Sequence, residues 1–216
     1  MPVSMQGKIP CIFGITFALA IIALTLSNFP RWDGSRRFSG LLLVGLYLIW
    51  LLLESVVAIG ETGREKTHHD HGTCEVYALG RASVVISALA IPGWRSGDGL
   101  WIPVGIGIFL GGVSIRLWAI RVLGRSYSHR VRLPEDQKLI TTGPYRMLRH
   151  PAYSGMLLSH IGLVIFFFNW VSLALLLGFL LPAIVVRIYI EEKALFAIRG
   201  YREAFERKKR LIPFCW

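Results

Sequence analysis

The sequence predicts an all-α membrane protein: a polytopic bundle of about six transmembrane helices, the last two a helical hairpin, with a C-terminal segment on the cytosolic side. Three observations predict it. Hydrophobic residues make up 54% of the 216 positions and charged residues only 17%, and the mean hydropathy of +0.54 is that of a chain living in lipid. The apolar residues fall in runs near 20 residues long, which at about 1.5 Å per residue cross a hydrocarbon core of about 30 Å. Lysine and arginine collect in the segments between runs and favour one side, the bias that sets orientation in a bilayer.

The runs are taken in order. Ile9–Phe29 has only Lys8 ahead of it, is too long for a signal-peptide core and has no small-residue cleavage site, so it reads as a membrane helix. Ser39–Gly60 follows. Tyr77–Gly93 is the shortest, with Arg81 near one end and Pro92-Gly93 as a stop; the charge bias keeps its parity only if this run also crosses. Next come Leu100–Leu123, then Pro151–Phe168, a turn at Asn169-Trp170, and Val171–Ile190. Gly45, Gly105, Gly107, Gly111, Gly112 and Pro182 fall inside runs, where neighbouring helices can satisfy the freed backbone. One side receives Lys8, Arg64, Lys66, the basic residues from Arg125 to Arg149 and those of the tail from Lys193 to Arg210, whereas Arg31, Arg36, Arg37 and Arg95 fall on the other. Both termini are therefore expected in the cytoplasm. The net charge of +11 fits this bias and attraction to anionic membrane lipids; no nucleic-acid-binding module accompanies it. Cys11, Cys74 and Cys215 form neither a disulfide framework nor a zinc pattern.

The stretch Gly143–Met156 (GPYRMLRHPAYSGM) lies where a basic segment runs into an apolar one. Pro151 suits the first turn of a helix, whose open N–H groups beside Arg149 and His150 make an anion site. Two limbs of about 20 residues separate His150 from Glu191-Glu192, so a hairpin brings both to one membrane face. Arg187 lies four residues before Glu191, on the same helical face. Glu54, Arg81 and Arg116 fall in the same half of their own runs, where ion pairing or snorkelling competes with function, and Arg121 reads as snorkelling. His68, His69, Asp70 and His71 lack complementing ligands and read as a solvated loop, so no metal is expected. His160 reads as an interhelical hydrogen bond, and the Gly105-Ile106-Gly107 and Gly111-Gly112 steps as close helix packing. No G-x-S-x-G, H-E-x-x-H or P-loop pattern is present.

Several motifs together resemble the isoprenylcysteine carboxyl methyltransferase family. They are Leu123-Gly-Arg-Ser-Tyr-Ser128, Leu139-Ile-Thr-Thr-Gly-Pro-Tyr-Arg146, Arg149-His150-Pro151-x-Tyr153-x-Gly155, Arg187-x-x-x-Glu191-Glu192 with Tyr201 downstream, and the ending Arg210-Leu211-Ile212-Pro213-Phe214. No internal repeat or low-complexity linker divides the chain, so residues 1–216 are expected to form one membrane domain; the resemblance covers about residues 100–216, which leaves helices of no usable signature in 1–98 and the methyltransferase core and tail in 99–216. It implies S-adenosylmethionine as cofactor, in a pocket at the cytosolic face closed by the last two helices and the tail. Carried over by position, His150, Pro151, Tyr153 and Gly155 would line that pocket. Gly143 and Tyr145 would help close it, Glu191 or Glu192 would hold the cofactor's ammonium, and Tyr201 and Leu211–Phe214 would cover the adenosine. Arg149 at a helix N-terminus suits the cofactor carboxylate. Arg187, with Glu191, is the expected catalytic pair, the arginine holding a carboxylate acceptor bidentately. The implied acceptor is a prenylated cysteine or similar lipophilic acid. An amine acceptor, as in a phospholipid N-methyltransferase, would have to lose a proton beside a cationic arginine, which disfavours it. An NADPH-dependent sterol-reductase-like enzyme would need a 2′-phosphate site, for which the basic 124–149 segment is available. A transporter or assembly subunit would line a path across the bilayer, whereas the polar residues here gather at one face.

Overall fold

The computed structural model describes residues 8–32, 34–60, 72–91, 93, 99–128, 139–198 and 200–211. Six long helices account for most of them. They are α1 (Lys8–Asn28), α2 (Gly34–Gly60), α3 (Thr73–Ala90), α4 (Trp101–Leu123), α5 (Pro151–Phe166) and α6 (Trp170–Leu195), and a short α7 (Tyr201–Phe205) follows. No strand occurs among the described residues. Each helix coincides with an expected apolar run, including the doubtful third. Five of them contain windows long and apolar enough to cross a membrane, and the chain is a multi-pass membrane protein. The exception in length is α5, whose 16 residues rise about 24 Å. The helix stops there because Asn169 starts the next one: its side-chain oxygen accepts from Ser172 N at 2.8 Å, while its amide donates to the Ser87 carbonyl of α3 at 3.1 Å. The cluster His68–His71 lies outside the described residues, as do Pro213 and Phe214.

Helices in lipid gain little from burying apolar surface against one another, so close packing and hydrogen bonds must hold them together. The α4–α5 pair shows how. Gly112 and Gly155 face each other: a Cβ on Gly155 would stand 2.6 Å from both the Arg116 nitrogen and the Gly112 carbonyl oxygen. One step along, Gly105 and Gly162 repeat the arrangement, a Cβ on Gly162 falling 2.6 Å from the Gly105 carbonyl oxygen. The expected packing role is seen for Gly105 and Gly112; Gly107 and Gly111 have open space where a Cβ would stand, so they do not pack a neighbouring helix among the described residues. Gly155 is seen in the same role, facing α4 where a pocket-lining position was expected. The down-and-back course of α5 and α6 is present, but α6 approaches α3 and α5 approaches α4, so the two limbs of the hairpin are splayed at the backbone.

Midway, α6 opens into one wide π turn, Leu176–Leu180, immediately ahead of Pro182. Proline has no N–H to give to the preceding turn, and the wider turn accommodates the break. Around α6, Met156, Leu163, Leu180, Ile184 and Ile188 belong to the main apolar core. A second, smaller cluster sits at the end of the bundle where α5 begins: Ala119, Tyr145, Ala152, Tyr201 and Phe205.

Candidate active site

Between these two cores lies a polar layer, assembled from the start of α5, the end of α6 and the segment after α7. The chain enters it through a 3-10 turn, Gly143–Arg146. Gly143 has φ +59°, a left-handed conformation that side chains other than glycine's resist, and a Cβ there would stand 2.9 Å from Val122. The turn buries Tyr145 and Pro144, and the chain then runs beside residues 208–211. Leu148 and Lys209 form an isolated parallel bridge, Arg149 N donates to Lys209 O at 2.8 Å and His150 N donates to Arg210 O at 3.0 Å. Ser154 Oγ donates to Leu211 O at 2.6 Å. The C-terminal segment is thereby laid across the first turn of α5.

Glu192 is the centre of the layer. One carboxylate oxygen accepts from Arg149 at 3.0 Å and lies 3.4 Å from His150 Nε2; the other takes Arg210 Nε and Nη2, both at 2.9 Å. His150 Nε2 is buried without a well-formed hydrogen bond, so its approach to Glu192 is a contact of charge and dipole. Arg149 is further committed: Nε donates to the Lys208 carbonyl and Nη2 to the Glu206 carbonyl, both at 2.7 Å. This differs from the anion site expected at the start of α5. Tyr153 N and Ser154 N both donate to the His150 carbonyl, and Arg149 points into the tail instead of standing open to an anion.

The second half of the layer is a relay through Tyr153. Arg187 Nε donates to the Tyr153 hydroxyl at 2.7 Å, and that hydroxyl donates to Glu191 Oε2 at 2.7 Å. Arg187 Nη1 also donates to Thr73 Oγ at 3.1 Å. A phenol thus joins the two residues that the i, i+4 spacing placed on one face, and α3 contributes a hydroxyl that the sequence did not single out. Tyr201 stacks on Phe205 with ring centroids 4.7 Å apart, and Lys208 Nζ donates to the Tyr145 carbonyl at 2.8 Å. Burial, with the Glu191 charge second, pushes the Tyr145 and Tyr201 phenols above the ordinary tyrosine range. Burial lowers the Lys208 ammonium.

The layer brings together Tyr145, Arg149, His150, Pro151, Tyr153, Arg187, Glu191, Glu192 and Tyr201, with Gly143 at its edge and Gly155 turned away. Two contributors were missed. Arg210 was counted as tail charge and as the start of the family-like ending but given no role, although Glu192 needs a cation facing it. Thr73 precedes the third apolar run, and nothing local marks it.

A second ionic group sits deeper. Glu54 of α2 is buried and accepts from Arg81 of α3 at 2.9 Å and from Arg116 Nε of α4. Arg116 also donates to the Ala152 carbonyl at 3.1 Å and to the Tyr127 hydroxyl at 3.2 Å. The ion-pair reading of Glu54, Arg81 and Arg116 is the one the structure takes. His160 makes its polar contact within its own helix, Nδ1 lying 2.9 Å from the Met156 carbonyl, and no group of three or more metal-ligating side chains occurs among the described residues.

Residues 105–197 match the family model for isoprenylcysteine carboxyl methyltransferases. Over 115 residues the chain is 37% identical to a probable protein-S-isoprenylcysteine O-methyltransferase of Oryza sativa subsp. indica, a match covering 51% of this chain and 60% of the relative. Protein-S-isoprenylcysteine O-methyltransferase B of Arabidopsis thaliana is 34% identical over 114 residues, covering 51% of this chain and 58% of that one. An uncharacterized protein of Bacillus subtilis, YpbQ, is 28% identical over 81 residues, 38% of this chain and 48% of its own. The chain thus spans less than two thirds of the length of the plant relatives it matches.

Proposed function

Because residues 105–197 match the family model for isoprenylcysteine carboxyl methyltransferases, we propose that the chain belongs to that family and transfers a methyl group from S-adenosylmethionine to the carboxylate of a prenylated cysteine or similar lipophilic acid. The polar layer would face the cytosol, the side to which the lysine and arginine bias assigns both termini. The observation that carries the reading is the Arg187–Tyr153–Glu191 relay, set between an apolar bundle and the tail.

The residues present fit the cofactor. Glu191 has one oxygen on Tyr153 and its other oxygen without a hydrogen bond among the described residues, which suits an ammonium group. Glu192 is saturated by Arg149, Arg210 and the nearby His150, so of the two carboxylates Glu191 is the cofactor ligand and Glu192 the clamp that holds the tail. Bound there, S-adenosylmethionine supplies an electrophilic methyl group on a sulfonium. Pro151 and Tyr153 shape the wall beside it, Gly143 and Tyr145 the entry turn, and Tyr201 the far side.

The acceptor carboxylate is already ionised at neutral pH, so no base is required of the protein. What it must supply is alignment and exclusion of water. Arg187 is 3% exposed and its Nε is fixed by Tyr153, so its guanidinium is presented in one orientation. Holding both reactants in line contributes up to about 7–11 kcal/mol in favourable cases.

The test uses the full chain purified in detergent or nanodiscs, with methyl-labelled S-adenosylmethionine and N-acetyl-S-farnesylcysteine, and compares binding of S-adenosylhomocysteine with NADPH. Labelled methyl ester and S-adenosylhomocysteine binding are expected. Tight NADPH binding with no ester formed would overturn the reading.

A further inference from the structure

The face of α3 that gives Thr73 to Arg187 continues inward at four-residue steps through Tyr77 to Arg81. Thr73 and Arg81 are about 12 Å apart along the helix. Tyr77 is the shared wall. The guanidinium carbons of Arg187 and of Arg81 each lie 5.8 Å from its ring centroid, and its ring stands 6.0 Å from that of Tyr153. The polar layer thus runs without a break into the deeper ionic group.

Among the described residues that group has a surplus of donors and of positive charge. Glu54 is the carboxylate shared by Arg81 and Arg116. Arg116 is partnered at all three nitrogens, by Glu54, Ala152 O and the Tyr127 hydroxyl. Arg81 gives Nη1 to Glu54, while its Nε and Nη2 are buried with no hydrogen-bond partner. Buried and unpartnered in the same way are Trp50 Nε1, the Tyr47 and Tyr77 hydroxyls and His160 Nε2. Trp50 lies against Arg81, the guanidinium carbon 5.2 Å from its ring. Tyr47 and His160 close the ring around Trp50 at centroid distances of 5.5 and 6.0 Å. His160 Nδ1 faces a carbonyl, which only accepts, so Nδ1 carries the proton and Nε2 is an acceptor. Every other open atom in the ring is able to donate, although the Tyr47 hydroxyl also stands near the Arg81 guanidinium, where it can accept. An uncompensated cation among membrane helices is costly, and a set of donors around it matches an oxyanion.

We propose that Arg81, with Trp50 and Tyr77, forms a binding site for an oxyanion carried by a lipid-soluble molecule. All three residues come from the half of the chain that precedes the matched segment 105–197. Two sources share this chemistry, a lipophilic carboxylate such as the proposed acceptor and the phosphate of an anionic lipid. If the acceptor is the source, the inference rests on the proposed methyl transfer, and Arg81 is then a second recognition point next to Arg187.

The experiment measures binding to the full chain in nanodiscs of neutral lipid. The probes are N-acetyl-S-farnesylcysteine, its methyl ester and short-chain phosphatidic acid, tested with wild type, Arg81→Gln and Trp50→Phe. Loss of a charged hydrogen-bond donor predicts that Arg81→Gln weakens an anionic probe about tenfold or more and leaves the ester within about twofold. Trp50→Phe, which keeps the ring and removes one N–H, should cost a smaller factor, about threefold. Weakening of the acid identifies the acceptor source, and weakening of phosphatidic acid alone identifies the lipid. Acid binding that depends on Arg81 without any methylation would sink the methyl-transfer reading and keep this one. Equal binding of acid, ester and lipid by wild type and both variants overturns it. If Arg81→Gln does not fold, Trp50→Phe alone decides: an unchanged preference for anions over the ester overturns the site.

Discussion

Glu192 and Glu54 are both buried carboxylates, each meeting two arginines, yet they stand in different surroundings. Glu192 lies where the bundle meets the tail, and one of its cations, Arg210, has a side chain 27% exposed. Water shares the solvation there, and the group ties down a segment, because Arg149 also holds the carbonyls of Lys208 and Glu206. Glu54 lies among three helices with both arginines at most 11% exposed, so buried guanidinium groups face its charge. The same pairing of residue types therefore fixes a movable piece of chain in one place and the relative placement of α2, α3 and α4 in the other. Surroundings, more than partner identity, decide what a buried ion pair does.

Substitutions test that contrast. The largest effect is expected from Glu54→Ala, which leaves two buried arginines facing each other. Breaking a buried pair on one side costs about 3–5 kcal/mol, so thermal unfolding in detergent should drop sharply or folded protein should fail to accumulate; an unchanged midpoint would contradict the account. Glu192→Gln is expected to cost less, about 1–3 kcal/mol, because its partners reach water. Its signature is local: faster proteolysis around residues 206–211, with the helices still protected. Gly155→Ala probes packing apart from charge. Its Cβ meets the α4 backbone at 2.6 Å and should destabilise by about 1–3 kcal/mol, whereas Gly178→Ala, with open space around it, should stay within about 0.5 kcal/mol. Alkaline titration gives the smallest signal. Tyr145 and Tyr201 keep their protons above the usual tyrosine pKa, near 10. Their stabilising contribution is complete below that unfolded value and is lost as pH climbs from it towards the raised folded values. Tyrosinate absorbance at 295 nm, followed in wild type, Tyr145→Phe and Tyr201→Phe, should show each substitution removing one phenol that ionises above the usual range.

Much of this was legible in the chain. Hydropathy located all six long helices, because bilayer thickness imposes its length on each run. The spacing of His150 from Glu191-Glu192 implied one shared face, and the two ends do meet, with His150 3.4 Å from Glu192. Hydropathy carries no information on helix rotation, however. That Glu54, Arg81 and Arg116 share one group, or that Thr73 reaches Arg187, depends on how α2, α3 and α4 turn about their axes. The commitment of Arg149 was hidden for a similar reason: its partners are carbonyl oxygens of residues 206 and 208, and backbone atoms leave no trace in residue type. Gly155 carried an ambiguous signal, since close approach to a ligand and to a helix both call for glycine.

The wide turn at Leu176–Leu180 carries a consequence for how the relay is aimed. A helix advances about 100° per residue, so the one extra residue accommodated there fixes the azimuth of everything beyond it. Deleting a single residue from the turn would swivel Arg187 and Glu191 by that angle, away from Tyr153, while leaving their spacing along the axis nearly intact. The register of one loosened turn, some ten residues distant, sets where the reactive side chains look.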